Sequence, residues 1–183
     1  MRMRIVTGSA RGRTLRAPDG SETRPTSDRV KEAIFNALFS LNAIEGAQVL
    51  DLFAGSGGLG LEALSRGAAH CTFIDSSRPA IRAINDNIEA CGFTDVSTVI
   101  AGDVLRWLER STEEFDLIVC DPPYAFDDWA TVLEQTRGSM LVIESGREIA
   151  IDGPWVALRS RRYGSTIVSI LESTAGEDTS IGC

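Results

Sequence analysis

From Gln48 onward, short apolar and β-branched runs alternate with stretches whose apolar residues recur at helical spacing. Strand-like runs fall at 48–53 (QVLDLF), 70–75 (HCTFID), 96–101 (VSTVIA), 115–120 (FDLIVC) and 139–144 (SMLVIE), and helical stretches at 58–66, 77–91, 103–110 and 127–137. This rhythm predicts right-handed βαβ units and a parallel sheet. The chain ends differently. The runs 154–159 (PWVALR) and 165–171 (STIVSIL) are separated only by a short Arg-rich turn, which leaves no room for a crossover helix. They must form a hairpin, so one of seven strands runs antiparallel.

Ahead of the sheet, Met3–Thr7 alternates like a strand, Gly8–Gly12 turns, and Arg13–Ala17 returns. An amphipathic helix is predicted over 27–41, with Val30, Ala33, Ile34, Ala37, Leu38 and Leu41 on one stripe and Thr26 or Ser27 as N-cap. The expected organisation is a single α/β domain over residues 1–172. It comprises a ribbon extension (1–26), a leading helix (27–41) and a seven-stranded, mostly parallel sheet core (46–172). The polar residues 173–183 are expected to be disordered.

Length and composition are ordinary for one globular domain: 183 residues, 43% hydrophobic and 24% charged. No apolar run approaches a membrane span, and the first residues lack the apolar core of a secretory signal. Four scattered cysteines without a CxxC pair, and a single histidine, His70, predict a reduced cytoplasmic setting and no metal site. Charge changes the picture more. The formal charge is −8, yet residues 1–31 hold eight Arg or Lys against three acids, leaving −13 on the remainder. A basic ribbon on an acidic body would hold a polyanion at one face and repel it elsewhere; a merely solvated arm has the same charge pattern. The candidate contacts are Arg4, Arg11, Arg13 and Arg24 near the start, with Arg161 and Arg162 in the closing turn.

Asp51-Leu52-Phe53-Ala54-Gly55-Ser56-Gly57-Gly58-Leu59-Gly60 ends the first sheet strand and opens a helix, and Gly55, Gly57 and Gly60 fit GxGxxG. Such a loop lets a ligand approach the backbone beside a helix N-terminus, in dehydrogenases and methyltransferases alike. Asp75, followed by Ser76 at the end of the second strand, suits ribose hydroxyls in either class. Asp51 leans toward a ligand with sulfonium and ammonium groups, because a carboxylate there would repel a pyrophosphate. After the third strand, Asp103 can accept from an adenine amine with Val104 covering the ring, or simply cap the next helix.

Asp121-Pro122-Pro123-Tyr124 ends the fourth strand, beside the crevice where open α/β sheets bind ligands. Two prolines fix the backbone direction, and so can do no more than stop the strand, or can aim a carbonyl. An exocyclic base amine is a poor nucleophile because its lone pair is delocalised into the ring. Asp121 and the Pro122 carbonyl, accepting its two protons, would orient the nitrogen and stabilise the charge that develops there. Tyr124 would stack on an extruded base. With the glycine loop on strand one, this tetrapeptide points to N-methylation, and a dehydrogenase offers no role for it.

At these residues the chain resembles the bacterial RsmD-type 16S ribosomal RNA (guanine-N2) methyltransferases. The resemblance covers about residues 3–172. It is carried by Arg4-Ile5-Val6-Thr7-Gly8 with Gly12-Arg13, by RPTSDRVKEAIFNAL at 24–38, by DLFAGSGGLGLEALSRGA at 51–68, by DPPY and by Arg162-Tyr163-Gly164. Gly58 departs from the commoner Ala, and Ser165 from the commoner Asp. The resemblance implies a class I (Rossmann-like) methyltransferase fold and S-adenosyl-L-methionine as cofactor. That cofactor would be held by Asp51, Phe53, Ala54, Gly55, Gly57, Gly60, Asp75, Ser76, Asp103, Val104 and Asp121. Asp121, Pro122 and Tyr124 would serve catalysis. The implied substrate is 16S ribosomal RNA or an assembling small ribosomal subunit. The residues alone imply only an exocyclic amine of a planar substrate, which leaves adenine N6, cytosine N4 and a protein glutamine amide as alternatives. Glutamine methylation usually goes with Asn in place of Asp121. A non-catalytic RNA-binding module would not need DPPY intact.

Overall fold

The computed structural model describes residues 3–19 and 27–174; Arg24 lies outside them. Helix α1 runs Asp28–Ser40, capped by the Ser27 hydroxyl, which accepts from the Val30 N–H at 3.3 Å. Strands and helices then alternate: β1 (Gln48–Leu52), α2 (Gly58–Ser65), β2 (His70–Asp75), α3 (Arg78–Cys91), β3 (Ser97–Ala101), α4 (Val104–Leu108), β4 (Phe115–Cys120), α5 (Trp129–Gln135) and β5 (Gly138–Ser145). The hairpin β6 (Trp155–Tyr163) and β7 (Thr166–Ser173) closes the chain. A short 3-10 turn at Thr94–Val96 was not foreseen. Helix α3 has a Ser cap, Pro in its first turn and Gly92 at φ 76° as its stop, and its ends agree with the sequence to one residue.

The seven strands form one sheet in the order β3-β2-β1-β4-β5-β7-β6, and β7 alone runs against the other six. This is the class I methyltransferase fold. Period-two alternation divides the core into two layers. Val49, Leu117, Val119 and Val142 face the layer that holds Ile34, Phe35, Leu38 and Leu61. Leu50, Leu52, Ile118, Cys120, Leu141 and Ile143 face the layer that holds Trp129, Leu133 and Trp155. No helix among the described residues is long and apolar enough to cross a membrane.

One expectation needs correction. The Arg-rich segment before Gly164 is not a turn: β6 continues to Tyr163, so Arg159, Arg161 and Arg162 stand on an exposed edge strand with a bulge between Ala157 and Arg159. The N-terminal ribbon is packed down, unlike the solvated arm that its charge alone also allows. Its antiparallel bridge, Arg4 to Thr14, sits on the body with Ile5, Ala10 and Leu15 buried. The Val6 and Thr7 N–H groups donate to the Glu62 carboxylate at 2.8 and 3.0 Å. Asn87, 1% exposed, accepts from the Arg16 N–H at 2.8 Å and donates to the carbonyls of Arg16 and Ser56. The ribbon is thereby stitched to the glycine loop itself.

Candidate active site

The chain leaves β1 for β2 on one side and later returns to place β4 on the other, so the sheet's switch point lies between β1 and β4. Leu52 pairs with Cys120 across it. Their successors, Phe53 and Asp121, open the glycine loop and the DPPY segment, and these positions, 68 residues apart in sequence, emerge side by side. The rings of Phe53 and Phe126 pack at 5.0 Å and tie the two loops together. Phe53 has φ 57°, an unusual conformation for a residue with a side chain, and the kind of strain held at functional turns.

Within the glycine loop the glycines do different work. Gly55 (φ 58°) and Gly57 (φ 76°) take left-handed turns, whereas Gly60 is needed for space: a Cβ there would lie 2.4 Å from the Phe73 ring and 2.6 Å from Cys71 Sγ. At Gly58 the nearest atom to a Cβ would be Ser56 Oγ at 3.3 Å, so Gly or Ala fits. Asp75 accepts from the Gly55 N–H and the Ser77 N–H, both at 2.8 Å, which fixes its carboxylate at the loop's mouth; Ser76 beside it is exposed. Ala54 donates its N–H to the Ile74 carbonyl at 3.0 Å.

Asp51 accepts from the Gly60 N–H at 2.9 Å and is only 2% exposed. Burial pushes its carboxyl well above the usual range. The Gly60 hydrogen bond opposes that shift, and the charges of Asp121 and Asp75 add to it. A carboxylate raised in the folded state contributes stability at low pH and loses it as pH climbs from the ordinary carboxylate value through the raised one. Asp51→Asn keeps an acceptor for Gly60 and removes the titration. Its melting temperature relative to the parent is therefore expected to rise with pH. Parallel melting curves across pH would show that Asp51 does not titrate in this way.

Asp103 caps α4, accepting from the Arg106 N–H at 3.0 Å, and its side chain is exposed at the sheet edge. Val104 is 3% exposed within the second core layer, which leaves little of its side chain to cover a ring.

Beyond the switch point the DPPY segment lines a cleft of about 470 Å³. Asp121 and Pro122 are half-buried at its floor. Pro123 accepts from the Phe126 N–H at 2.8 Å, which closes a turn that presents Tyr124, 66% exposed. That ring rests on Gly146, where a Cβ would come within 3.0 Å of Tyr124 Cδ1. The Gly146 backbone is thus the floor of the aromatic platform. The far wall comes from residues the sequence reading passed over: Glu144 and Ser145 at the end of β5, and Arg147, paired with Asp127 across the opening. Tyr163, Gly164 and Ser165 of the last hairpin complete it. Glu144, Ser145 and Arg147 lie in no recognisable motif, but strand β5 ends beside β4, so any parallel-sheet prediction places its exit loop here.

Comparison with known proteins bears on this geometry. The family model "Conserved hypothetical protein 95" matches residues 3–172. Over 92% of the chain, a Bacillus subtilis protein named "Putative rRNA methyltransferase YlbH" is 39% identical, with 97% of its own length covered. "Ribosomal RNA small subunit methyltransferase D" of Escherichia coli is 39% identical over 67% of the chain, and the chain spans 60% of that relative's length. The chain belongs to this RsmD-type methyltransferase family. A solved Escherichia coli structure, "Putative methyltransferase yhhF", superposes with a TM-score of 0.82 at 29% identity and covers 94% of this chain and 98% of its own.

The basic residues of this RsmD-type chain are arranged unevenly. Arg4 is held by Asp28 at 2.9 Å and Arg16 by Asp86 at 2.5 Å. Arg161 lies over the Tyr163 ring at 5.5 Å, and Arg162 stands exposed beside it on β6. Arg11 and Arg13 are exposed at the ribbon's tip, with no ion pair among the described residues.

Proposed function

We propose that this protein transfers a methyl group from S-adenosyl-L-methionine to the N2 amine of a guanine in 16S ribosomal RNA, free or in an assembling small subunit, in the cytoplasm. The observation that carries the reading is the pairing of Leu52 with Cys120, which puts a DPPY cleft with an aromatic platform directly beside a glycine loop. The donor set fits the cofactor: Asp75 and Asp121 both lie close enough to act on the charge of Asp51, an arrangement that suits a cationic ligand and opposes a pyrophosphate. The cofactor supplies an electrophilic methyl on a sulfonium. Asp75 would hold its ribose hydroxyls, the loop backbone at Gly55 and Gly57 would line its site, and Asp51 would balance its positive charge. Tyr124 stacks the base, and Asp121 and the Pro122 carbonyl accept hydrogen bonds from the two amine N–H groups, so that the nitrogen lone pair faces the methyl donor; the methylated nitrogen keeps one proton and sheds the other to Asp121 or to water. Alignment of two reactants in this way is worth up to roughly 7–11 kcal/mol.

Incubation with labelled cofactor and total RNA from a methylation-deficient strain, followed by nucleoside mass analysis, tests the proposal. N2-methylguanosine in the small-subunit fraction is expected; methyladenosine, methylcytidine or a methylated protein amide would replace the guanine reading with that alternative. On the cofactor side, Asp75→Ala is expected to weaken binding by roughly 1.5–3 kcal/mol in calorimetry with the fold retained. Unchanged affinity would remove Asp75 from the site. On the RNA side, the double variant Arg11→Glu, Arg13→Glu is expected to reduce the salt slope of RNA binding by roughly 0.7 for each lost phosphate contact while cofactor affinity stays constant. Identical slopes in salt titrations would exclude the ribbon tip from the RNA face.

A further inference from the structure

The four alternatives for the methyl acceptor differ in what lies next to the reacting amine. Guanine presents a second donor, N1–H, beside its N2 amine. Adenine presents the N1 lone pair beside N6, and cytosine the N3 lone pair beside N4. A site that reads an extruded base along this edge can separate guanine from the others with one well-placed acceptor next to the group that holds the amine.

The sheet supplies that acceptor. Cys120 pairs with Ile143, so Asp121 and Glu144 are the next residues on two adjacent parallel strands. Val119 and Val142, each two residues earlier, both face the first core layer, and period two carries Asp121 and Glu144 to that same side. Both line the one cleft, with Tyr124. Glu144 is 5% exposed and stands among Leu141, Val142 and Ile143, all buried. Its position at the end of β5 puts it beyond Asp121 as seen from the glycine loop, on the far side from the cofactor's proposed place, because β5 lies past β4 in the sheet order.

Resting on the reading that a guanine is methylated in this cleft, we propose that Glu144 is the residue that selects guanine, its carboxylate accepting the N1–H while Asp121 and Pro122 hold the N2 amine. The same carboxylate faces a lone pair when adenine or cytosine enters, and repels it. Selection therefore acts at the step where the base is seated, and needs no contact with the methyl donor.

The test uses the full-length protein and an RNA carrying the mapped target nucleotide, made with guanine or with 2-aminopurine at that position. 2-Aminopurine keeps the 2-amine but has a bare N1. The parent protein is expected to prefer guanine by about 10–100-fold in kcat/KM, the range for losing a charge-assisted hydrogen bond. Glu144→Gln, which can donate its amide N–H to a bare N1, is expected to bring the two substrates within a few-fold of each other. The effect of the missing O6 cancels when the two ratios are compared. Cofactor affinity should match that of the parent. A parent protein that methylates both substrates equally overturns the proposal without recourse to any variant, and an unchanged preference in Glu144→Gln does so as well. If the parent forms no N2-methylguanosine in cellular RNA, the guanine reading itself fails and takes this inference with it. Formation of the product with an unchanged preference sinks Glu144 alone.

Discussion

Alanine at position 121 is expected to slow single-turnover methyl transfer by about 10²–10³, the loss typical of one oriented group that acts on developing charge. The amine's lone pair becomes available only when its N–H groups are drawn toward fixed acceptors. Asp121 is half-buried where β4 ends, beside the carbonyl of Pro122, and nothing in the proline pair lets that backbone swing away. Removal of the carboxylate leaves one acceptor of two. The cofactor should bind with smaller loss, because Asp75 and the loop N–H groups are untouched. Tyr124 provides an internal contrast. Its ring is exposed and rests on Gly146, so Tyr124→Ala should weaken the base-binding term, while Tyr124→Phe, which keeps the stacking face, should be mild. Activity of Asp121→Ala within a few-fold of the parent would reduce the carboxylate to a strand cap.

What the sequence revealed and what it hid follow from where each element is buried. Strands β2 and β4 match their predicted ranges residue for residue, because parallel strands covered on both faces read as unbroken apolar runs. Strand β6 was drawn four residues short at its C-terminal end, since an exposed edge carrying Arg159, Arg161 and Arg162 has no apolar period to detect. Helices α4 and α5 are shorter than expected at both ends, where Asp103 and Asp128 act as caps and not as first-turn residues. The glycine loop and DPPY were legible as motifs, and their adjacency was legible only through the topology. Glu144, Gly146 and Asn87 were invisible: a Glu at a strand end, a loop Gly and a helical Asn read as surface until tertiary packing buries or positions them. Lys31 and Glu62 are the sharpest case, since both fall on amphipathic helices whose charged residues are by default assigned to solvent.

Glu62→Ala is expected to cost about 3–5 kcal/mol of folding stability, the range for stripping the counter-charge from a buried ion pair. Its carboxylate is fully buried, accepts three hydrogen bonds and faces a fourth, ionic partner. Val6 and Thr7 of the ribbon donate backbone N–H groups, Arg66 donates at 2.8 Å one turn along α2, and Lys31 Nζ of α1 lies 3.8 Å away. Lys31 is itself 1% exposed and donates to the Arg4 carbonyl. Burial lowers its pKa, and the attraction of Glu62 is the largest influence holding it up. Without Glu62, two cations and two ribbon N–H groups are left facing an apolar layer. Glu62→Gln keeps one acceptor but turns an N–H toward the same donors, so it should fall between the parent and Ala. The same network explains why deletion of residues 1–17 is a poor probe of RNA binding. The cut removes Ile5 and Leu15 from the core, leaves Glu62 without two donors, and frees Asn87 from one of the carbonyls it bridges, the other belonging to the glycine loop. The truncated protein should melt lower and bind cofactor more weakly, whether or not the ribbon touches RNA. Urea unfolding of Glu62→Ala decides the matter, and a midpoint equal to the parent's would mean that the ribbon and α1 do not depend on this carboxylate.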